Sequence, residues 1–464
     1  MTRPMRDLEG RAITVMGLGL FGGGAAVARF CARRGARVTV TDLRPQEVLA
    51  PTLASLAGHD FNLALGGHRE SDFQSADLVV VNPAVPLSSP FLALARTAKV
   101  PLTSETALFL ENTPATVVAI TGTEGKSSTT HFLGQLLATA SDGRRVFQGG
   151  NIGHSLLDDL DEMTGADVCA LELSSYQLEG LSEHLLLERA DSPIAAALIT
   201  NLRCDHLERH KSRAAYIQAK LRLCEWVAPG GSLFLPAGEW PGETNVAPDV
   251  RLVRHGGEGW RTAGEGYDFD GKQLAPPDWD ESWVGFQQEN IHLALCAAHL
   301  MGAPKQRLAS ALAELKGLPH RLEWVGQIDG RRVFDNAVST TPDSTESALC
   351  ALAEETGLIV GGEVKDLDLA PLLATARARR ARVVIFGAAR KAWTARFLAQ
   401  GLAVRTAAGP KEALALALDL GGSDLLFSPA CASFDAYANF KARAEDFLDA
   451  ARAAGLAPRE SVCP

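Results

Sequence analysis

Short apolar runs alternate along the chain with longer amphipathic stretches, and Gly- or Pro-rich turns separate them. Ala12–Met16 is the first run, followed by a glycine turn and a helix reaching residue 30. Residues 37–41 form the next run, ending at Asp42, and Leu78–Val81 another, closed by the Pro-rich turn 82–86. Such runs predict strands buried on both faces, and strand–helix–strand repetition predicts a parallel sheet. A break falls at 111–114, and a second series has strands at 116–120, 168–171 and 195–200, with a helix after Lys126. Residues 230–283, rich in Gly, Pro, Trp and Asp, read as irregular rim loops with short strands; helices follow near 290–301 and 306–315. A third series opens at Leu318-Pro319-His320-Arg321, with strands at 332–335, 358–361, 383–386 and Asp424–Phe427 and Ala-rich helices between them. The pattern predicts three consecutive α/β domains, 1–112, 113–316 and 317–464.

Composition narrows the partners. The net charge of -10 provides no basic field, so neither nucleic acid nor a membrane surface is an expected partner. Anionic substrates must then be held by local groups: helix N-termini, a few Arg and Lys, and metal ions. The eight cysteines are scattered without a Cys-x-x-Cys pair, which points to free thiols in a reducing cytosol rather than zinc or disulfides. The N-terminal residues carry no signal-peptide core and no apolar run reaches membrane-spanning length. A cytoplasmic monomer is expected.

Two glycine turns carry the chemistry. Gly17-Leu18-Gly19-Leu20-Phe21-Gly22 follows a strand and opens a helix, and Asp42 ends the next strand. This fits a dinucleotide fingerprint, so an NAD dehydrogenase is one reading; the same amides would equally cradle the diphosphate of a nucleotide sugar. Thr121-Gly122-Thr123-Glu124-Gly125-Lys126-Ser127-Ser128 lies between a strand and a helix. Its glycines free backbone N–H groups for phosphate oxygens, its lysine reaches the β and γ phosphates, and its serine hydroxyl meets a metal. Hydride transfer has no use for such a loop, whereas ATP chemistry does.

Further segments occur in order: Asn151-Ile152-Gly153, Glu172-Leu173-Ser174-Ser175-Tyr176-Gln177, Asn201 to Asp205-His206, Tyr216 to Lys220, Gly317 to Glu323, and Ser428 to Lys441 with Ser433 and Phe440. Over nearly the whole chain this series resembles the Mur ligase family, and the last segment resembles its D-glutamate-adding branch. The resemblance implies a Rossmann-like N-terminal domain, a P-loop-type central ATPase domain and a Rossmann-like C-terminal domain. It implies ATP, Mg2+, UDP-N-acetylmuramoyl-L-alanine and D-glutamate as ligands, with an acyl phosphate between carboxylate and amide. Residues implied for the UDP substrate are Gly19, Leu20, Phe21, Asp42, Arg44 and Asn82, with Asn151, Ser174 and Gln177. For ATP they are Gly122, Thr123, Glu124, Gly125, Lys126, Ser127 and Ser128, with Asn290, Arg321, Asp335 and Asn336. Ser127, Glu172, His206 and a carbamylated Lys220 are the implied metal ligands; Lys126, His206 and Lys220 are the implied catalytic groups, His206 being open between ligand and proton acceptor. Thr340, Lys365, Ser433 and Phe440 are implied for the amino acid.

The chain departs from the family pattern at named positions. Glu124 stands where the loop usually has Asn, and a carboxylate there must point away from triphosphate or toward metal. Asp335-Asn336 exchanges the usual order, leaving open which one holds the ribose. Val338 replaces the lysine expected at the amino-acid carboxylate, with hydroxyls at 339–341 as substitutes. Leu293 replaces an adenine-side Asn, and the UDP-side turn reads Asn82-Pro83-Ala84-Val85-Pro86. An L-glutamate ligase on the same acceptor and a non-catalytic nucleotide-binding subunit are the rival readings.

Overall fold

The computed structural model describes residues 8–140, 143–151, 154–184, 189–203, 207–238, 246–255, 267–269, 272–274, 283–365 and 367–458. The chain folds into two compact units: Met1–Asp278 with Glu289–Leu315, and Trp279–Gln288 with Lys316–Pro464. The first unit contains two of the three large sheets.

The N-terminal sheet comprises β1 (Ala12–Met16), β2 (Arg37–Asp42), β3 (Asn62–Leu65), β4 (Leu78–Val81) and β5 (Leu102–Thr103), in the order β3-β2-β1-β4-β5. All are parallel. The order reverses at β1, so a crevice opens between the C-terminal ends of β1 and β4, where Gly17 and Asn82 lie. The helix Gly23–Arg33 follows the glycine turn and buries its Ala-rich face against this sheet.

The central sheet comprises β6 (Thr116–Thr121), β7 (Val146–Gly150), β8 (Val168–Glu172), β9 (Ile194–Ile199), β10 (Ser232–Pro236) and β11 (Arg251–His255). It is parallel, in the order β11-β10-β9-β6-β8-β7. Here the order reverses at β6, whose C-terminal end carries the phosphate loop, flanked by Glu172 and Thr200. The rim-loop expectation for 230–283 is corrected at β10. Its five residues are all buried and it pairs with β9. The Gly and Pro on either side of this apolar run hid a core strand.

Cation–carboxylate pairs connect the two sheets' layers. Arg29 at the back of the first helix makes a two-pronged contact with Asp158, at 3.2 and 2.6 Å. Arg33 and Arg34 meet Asp161 at 3.3 and 2.9 Å.

The first unit also carries a small hairpin, β12 (Tyr267–Phe269) with β13 (Lys272–Leu274). In the second unit a seven-stranded sheet is built from β14 (Glu323–Ile328), β15 (Arg331–Asp335), β16 (Gly357–Gly361), β17 (Arg382–Phe386), β18 (Ala403–Ala407), β19 (Asp424–Phe427) and β20 (Ala457–Pro458). Their order is β18-β17-β16-β19-β15-β14-β20. The stretch from β18 to β15 is parallel; β14 adds antiparallel to β15. Apolar clusters cover both of its faces. The reversal at β16 places a crevice beside Gly361–Gly362 and Ser428. Among the described residues no helix is long and apolar enough to cross a membrane.

Candidate functional site

The crevice of the first sheet opens into a cavity of about 1070 Å3. Gly19, Leu20, Phe21, Asp42, Arg44, Asn82, Asn151, Ser174 and Gln177 all line it. The turn is shaped by its glycines: Gly17 lies at φ +93°, and a Cβ there would come within 2.8 Å of the Asn82 Cβ. Asn82 donates to the Gly17 carbonyl at 3.2 Å and accepts from the Ala84 amide at 3.0 Å, so it joins the two turns. The buried Asp42 accepts from Gly19 N (3.0 Å) and Arg44 N (2.9 Å). Phe21 is 98% exposed at the turn's tip. Ser174 and Gln177 bond reciprocally: the serine hydroxyl accepts from Gln177 N, and the Gln177 side-chain Oε1 accepts from Ser174 N. That is a capping box on the helix Ser175–His184.

The phosphate loop is held from behind by side chains of the next strand's end. Thr200 and Asn201 donate to the Glu124 carbonyl at 2.5 and 3.1 Å, and Asn201 accepts from Glu124 N at 3.0 Å. Gly122 (φ +148°) and Gly125 (φ +77°) leave no room for a side chain: a Cβ would meet Thr200 Oγ1 at 1.9 Å and Asn290 Oδ1 at 2.3 Å. Asn290 therefore packs directly on the loop, where it also accepts from Thr129 at 3.3 Å. Lys126 rests its ammonium on the Thr123 carbonyl at 2.8 Å. The Glu124 carboxylate is turned onto Arg203, 2.6 Å away, which neutralises the charge that the sequence placed beside phosphates.

Glu172 at the end of β8 is 1% exposed. One of its oxygens accepts from Asn151 at 2.9 Å, while the other meets no donor. A buried carboxylate oxygen without a donor suits a hard cation, which takes oxygen ligands. Ser127 is buried in the first turn of the helix Lys126–Ala140. Lys220 is 1% exposed; its Nζ donates to the Gly122 carbonyl at 2.6 Å and lies 4.6 Å from the Tyr216 ring centre. The helix Arg213–Leu221 thus delivers a lysine to the back of the phosphate loop. His206 lies outside the described residues.

In the second unit, Arg321 sits between His320 (φ +63°) and Leu322 (φ +48°), two non-glycine residues in left-handed backbone. Both neighbours are tied down. His320 Nδ1 lies 2.7 Å from Asp335 Oδ2, and Leu322 N donates to Asn336 at 3.1 Å. The aspartate raises the His320 pKa above its ordinary value. Asp335 also accepts from Ala337 N, and Asn336 donates to Ser428 Oγ. The inverted acid–amide pair therefore anchors the Arg321 loop.

Of the hydroxyls at 339–341, Ser339 is buried against Thr345, and Thr341 caps the helix Pro342–Cys350. Thr340 is half-buried and Lys365 exposed. Ser433 is 3% exposed; the N-cap of the helix Phe440–Ala453 is Asn439, and half-buried Phe440 stacks edge-on to His320.

Sequence reasoning missed three arginines. Arg203 answers Glu124. Arg209 donates to the Val85 carbonyl (3.1 Å) and to Glu179 (2.8 Å), pinning the turn 82–86. Arg443 is wholly buried. The first two lie within or beside the segment 201–210, whose Asp205-His206 drew attention first; nothing in an Ala-rich helix signals the third.

Three doubly wound or parallel sheets, one with a glycine phosphate loop at its reversal point, define an α/β nucleotide-binding enzyme of the ATP-using type. Residues 120–244 match the Mur ligase middle domain and 11–104 the Mur ligase MurD-like N-terminal domain. The UDP-N-acetylmuramoylalanine–D-glutamate ligase of Geobacter metallireducens is 35% identical over 465 residues, covering 98% of this chain and all of that one. The ligase of the same name from Trichlorobacter lovleyi is 35% identical over 457 residues, 96% and 99% of the two chains. The chain belongs to the Mur ligase family. Its fold is that of UDP-N-acetylmuramate–alanine ligase MurC from Thermotoga maritima (TM-score 0.54, 19% identity, 96% and 99% covered). The MurF ligase of the same organism, solved with ADP, is similar too (TM-score 0.53, 17% identity, 97% of each).

Proposed function

We propose that this chain joins D-glutamate to the free carboxylate of UDP-N-acetylmuramoyl-L-alanine at the expense of ATP, in peptidoglycan synthesis. The observation that carries the reading is the convergence of Lys126, Ser127, Glu172 and Lys220 around one glycine loop, in a chain similar to D-glutamate ligases over nearly its full length. The amides of residues 122–128 and Lys126 hold the triphosphate, and Lys126 leaves the Thr123 carbonyl to follow the transferring phosphoryl group. The acceptor carboxylate attacks the γ-phosphorus, ADP leaves, and an acyl phosphate forms. The neutral amine of D-glutamate then attacks the acyl carbon, and phosphate departs with the amide formed. Ser127, Glu172, His206 and a carbamylated Lys220 would hold Mg2+, which supplies charge neutralisation for phosphoryl transfer. A carbamate keeps one N–H for the Gly122 carbonyl while presenting an anion beyond it. Asn290, Arg321 and the Asp335–Asn336 pair serve the nucleotide. Gly19, Leu20, Phe21, Asp42, Arg44 and Asn82 hold the UDP end, and Asn151, Ser174 and Gln177 lie toward the acyl centre. Thr340, Lys365, Ser433 and Phe440 form the amino-acid site.

The same reading divides the chain into domains 1–112, 113–316 and 317–464, binding UDP substrate, ATP and amino acid in turn, and takes the protein as a cytoplasmic monomer. ADP release from ATP should require both UDP-N-acetylmuramoyl-L-alanine and D-glutamate. Faster turnover of L-glutamate would transfer the assignment to an L-glutamate ligase, and binding of all ligands without turnover would reduce the protein to a binding subunit.

A further inference from the structure

The crevice of the third sheet has a cation built into its floor. Arg443, on the first turn of the helix Phe440–Ala453, is 0% exposed. Its guanidinium donates to the main-chain carbonyls of Cys431 and Ala432, both at 3.0 Å, and at 3.4 Å to those of Gly361 and Ala337. These carbonyls follow or end β19, β16 and β15, the strands on either side of the reversal point. Among the described residues no carboxylate is bonded to it, and its Nε meets no acceptor. Burial lowers its pKa to about 10, which leaves it a cation at neutral pH.

A buried cation solvated only by carbonyls orients their peptides. The peptide unit is planar and trans, so each C=O directed at the guanidinium sends the following N–H the opposite way. For Ala432 that amide belongs to Ser433. The Ala432 carbonyl is doubly held, accepting also from Glu363 N at 2.9 Å. Among the described residues no acceptor meets the Ser433 amide or hydroxyl, although the residue is 3% exposed. Gly362 allows the close approach: a Cβ there would lie 2.8 Å from the guanidinium and 2.4 Å from the Ala432 carbonyl. Val338, where the family pattern has lysine, brings no charge to this crevice.

We infer that Arg443 is a positioning residue for the amino-acid substrate: it fixes the 431–433 loop so that the Ser433 amide and hydroxyl face a substrate carboxylate, and relays its charge through the aligned peptide dipoles. This rests on the proposed function. The cation stands behind the backbone and touches no substrate.

The test uses the full chain and ADP release with each substrate varied in turn. Arg443→Lys keeps the charge but cannot reach four carbonyls at once, and Arg443→Gln removes the charge. In both, KM for D-glutamate should rise about ten-fold or more, the weight of one charge-assisted contact. KM for ATP and for the UDP substrate should hold, and Arg443→Lys should be the milder variant. Equal rises in all three KM values, or a fall in kcat at unchanged D-glutamate KM, would reduce Arg443 to a fold-stabilising residue and overturn the inference. Lys365→Gln removes the exposed cation of the same site and, being a surface change, does not put folding in question. Buried charges are screened far less than exposed ones, so in that variant D-glutamate KM should stay nearly constant as KCl is raised to about 0.5 M. A steep rise there would assign the remaining charge to another exposed cation and overturn the inference equally. Absence of any D-glutamate-dependent turnover in the wild type would instead defeat the functional reading itself.

Discussion

Replacing Gly122 by alanine tests whether the backbone of the phosphate loop, and not its lysine alone, is set for the nucleotide. Gly122 lies at φ +148°, and an added Cβ would fall 1.9 Å from Thr200 Oγ1 and 3.1 Å from Asn201 N. The threonine hydroxyl has to leave, and with it goes the 2.5 Å bond it donates to the Glu124 carbonyl. Holding an L-residue in that backbone region costs about 1–3 kcal/mol. The lost hydrogen bond adds about 1 kcal/mol. The sum of about 2–4 kcal/mol falls on the conformation that receives the phosphates, which corresponds to a roughly 30- to 900-fold drop in kcat/KM for ATP. A coupled ADP-release assay at saturating UDP substrate and D-glutamate reads this directly, with a thermal melt to show that the variant is folded. Thr200→Ala alone should cost only the hydrogen bond, on the order of 1 kcal/mol. Combining the two removes the collision, so Gly122→Ala/Thr200→Ala should be more active than Gly122→Ala. A Gly122→Ala enzyme within about three-fold of wild type, or strict additivity in the double variant, would refute the reasoning.

Lys126→Ala should leave the fold intact and lower turnover on the order of 10³-fold, since one aimed charge is removed from the transferring phosphoryl group; near-normal turnover in a folded variant would dismiss the loop as the ATP site. Lys220→Ala should be nearly inactive and partly restored by added formate or acetate, which can supply an oxygen where the carbamate would stand; full activity without rescue would rule out the carbamate. The pH dependence of stability should carry the mark of His292, whose pKa burial lowers from 6.5 to about 3. The unfolded chain binds that proton first, so stability is complete above pH 6.5 and declines as pH falls from there toward 3. His292→Gln should flatten the melting-temperature slope below pH 6.5, and an unchanged slope would show that the ring is not desolvated in solution.

Much of the fold was legible because the strands are short apolar runs in parallel sheets, with glycine at the turns. Ala12–Met16, Leu78–Val81 and Asp424–Phe427 stand in the structure with the bounds that the residue pattern suggested. β10 was hidden by its own composition: five buried residues between a glycine pair and a Pro-rich stretch look like rim loop until pairing with β9 supplies the missing partner. Likewise, the glycine turn at 17–22 and Asp42 could be named from a turn and a strand end, since parallel sheets open their crevices at those points, whereas Arg44 and Asn82 rest on the family resemblance. What the sequence withheld was long-range pairing. That Glu124 meets Arg203, that Asp335 is engaged by His320, and that an arginine in an alanine-rich helix lies beneath a distant loop are facts of packing. No spacing rule encodes them.

The arginines at the end of the first helix have a bearing on how such chains recombine. The break in the residue pattern at 111–114 looks like a natural place to exchange an N-terminal module between homologous genes. Yet Arg29, Arg33 and Arg34 find their carboxylates on Asp158 and Asp161, well past that break. A crossover at 111–114 would install a foreign helix opposite two aspartates that had been matched to another, leaving several pairs of about 0.2–1 kcal/mol each unmade or reversed in sign. A crossover beyond Asp161 would carry lock and key together but would divide the central sheet between β7 and β8, where buried apolar pairing is worth more than half-exposed ion pairs. The exchangeable unit is therefore discontinuous: chimaeras joined at 111–114 should be the more stable when positions 158 and 161 are exchanged together with the helix.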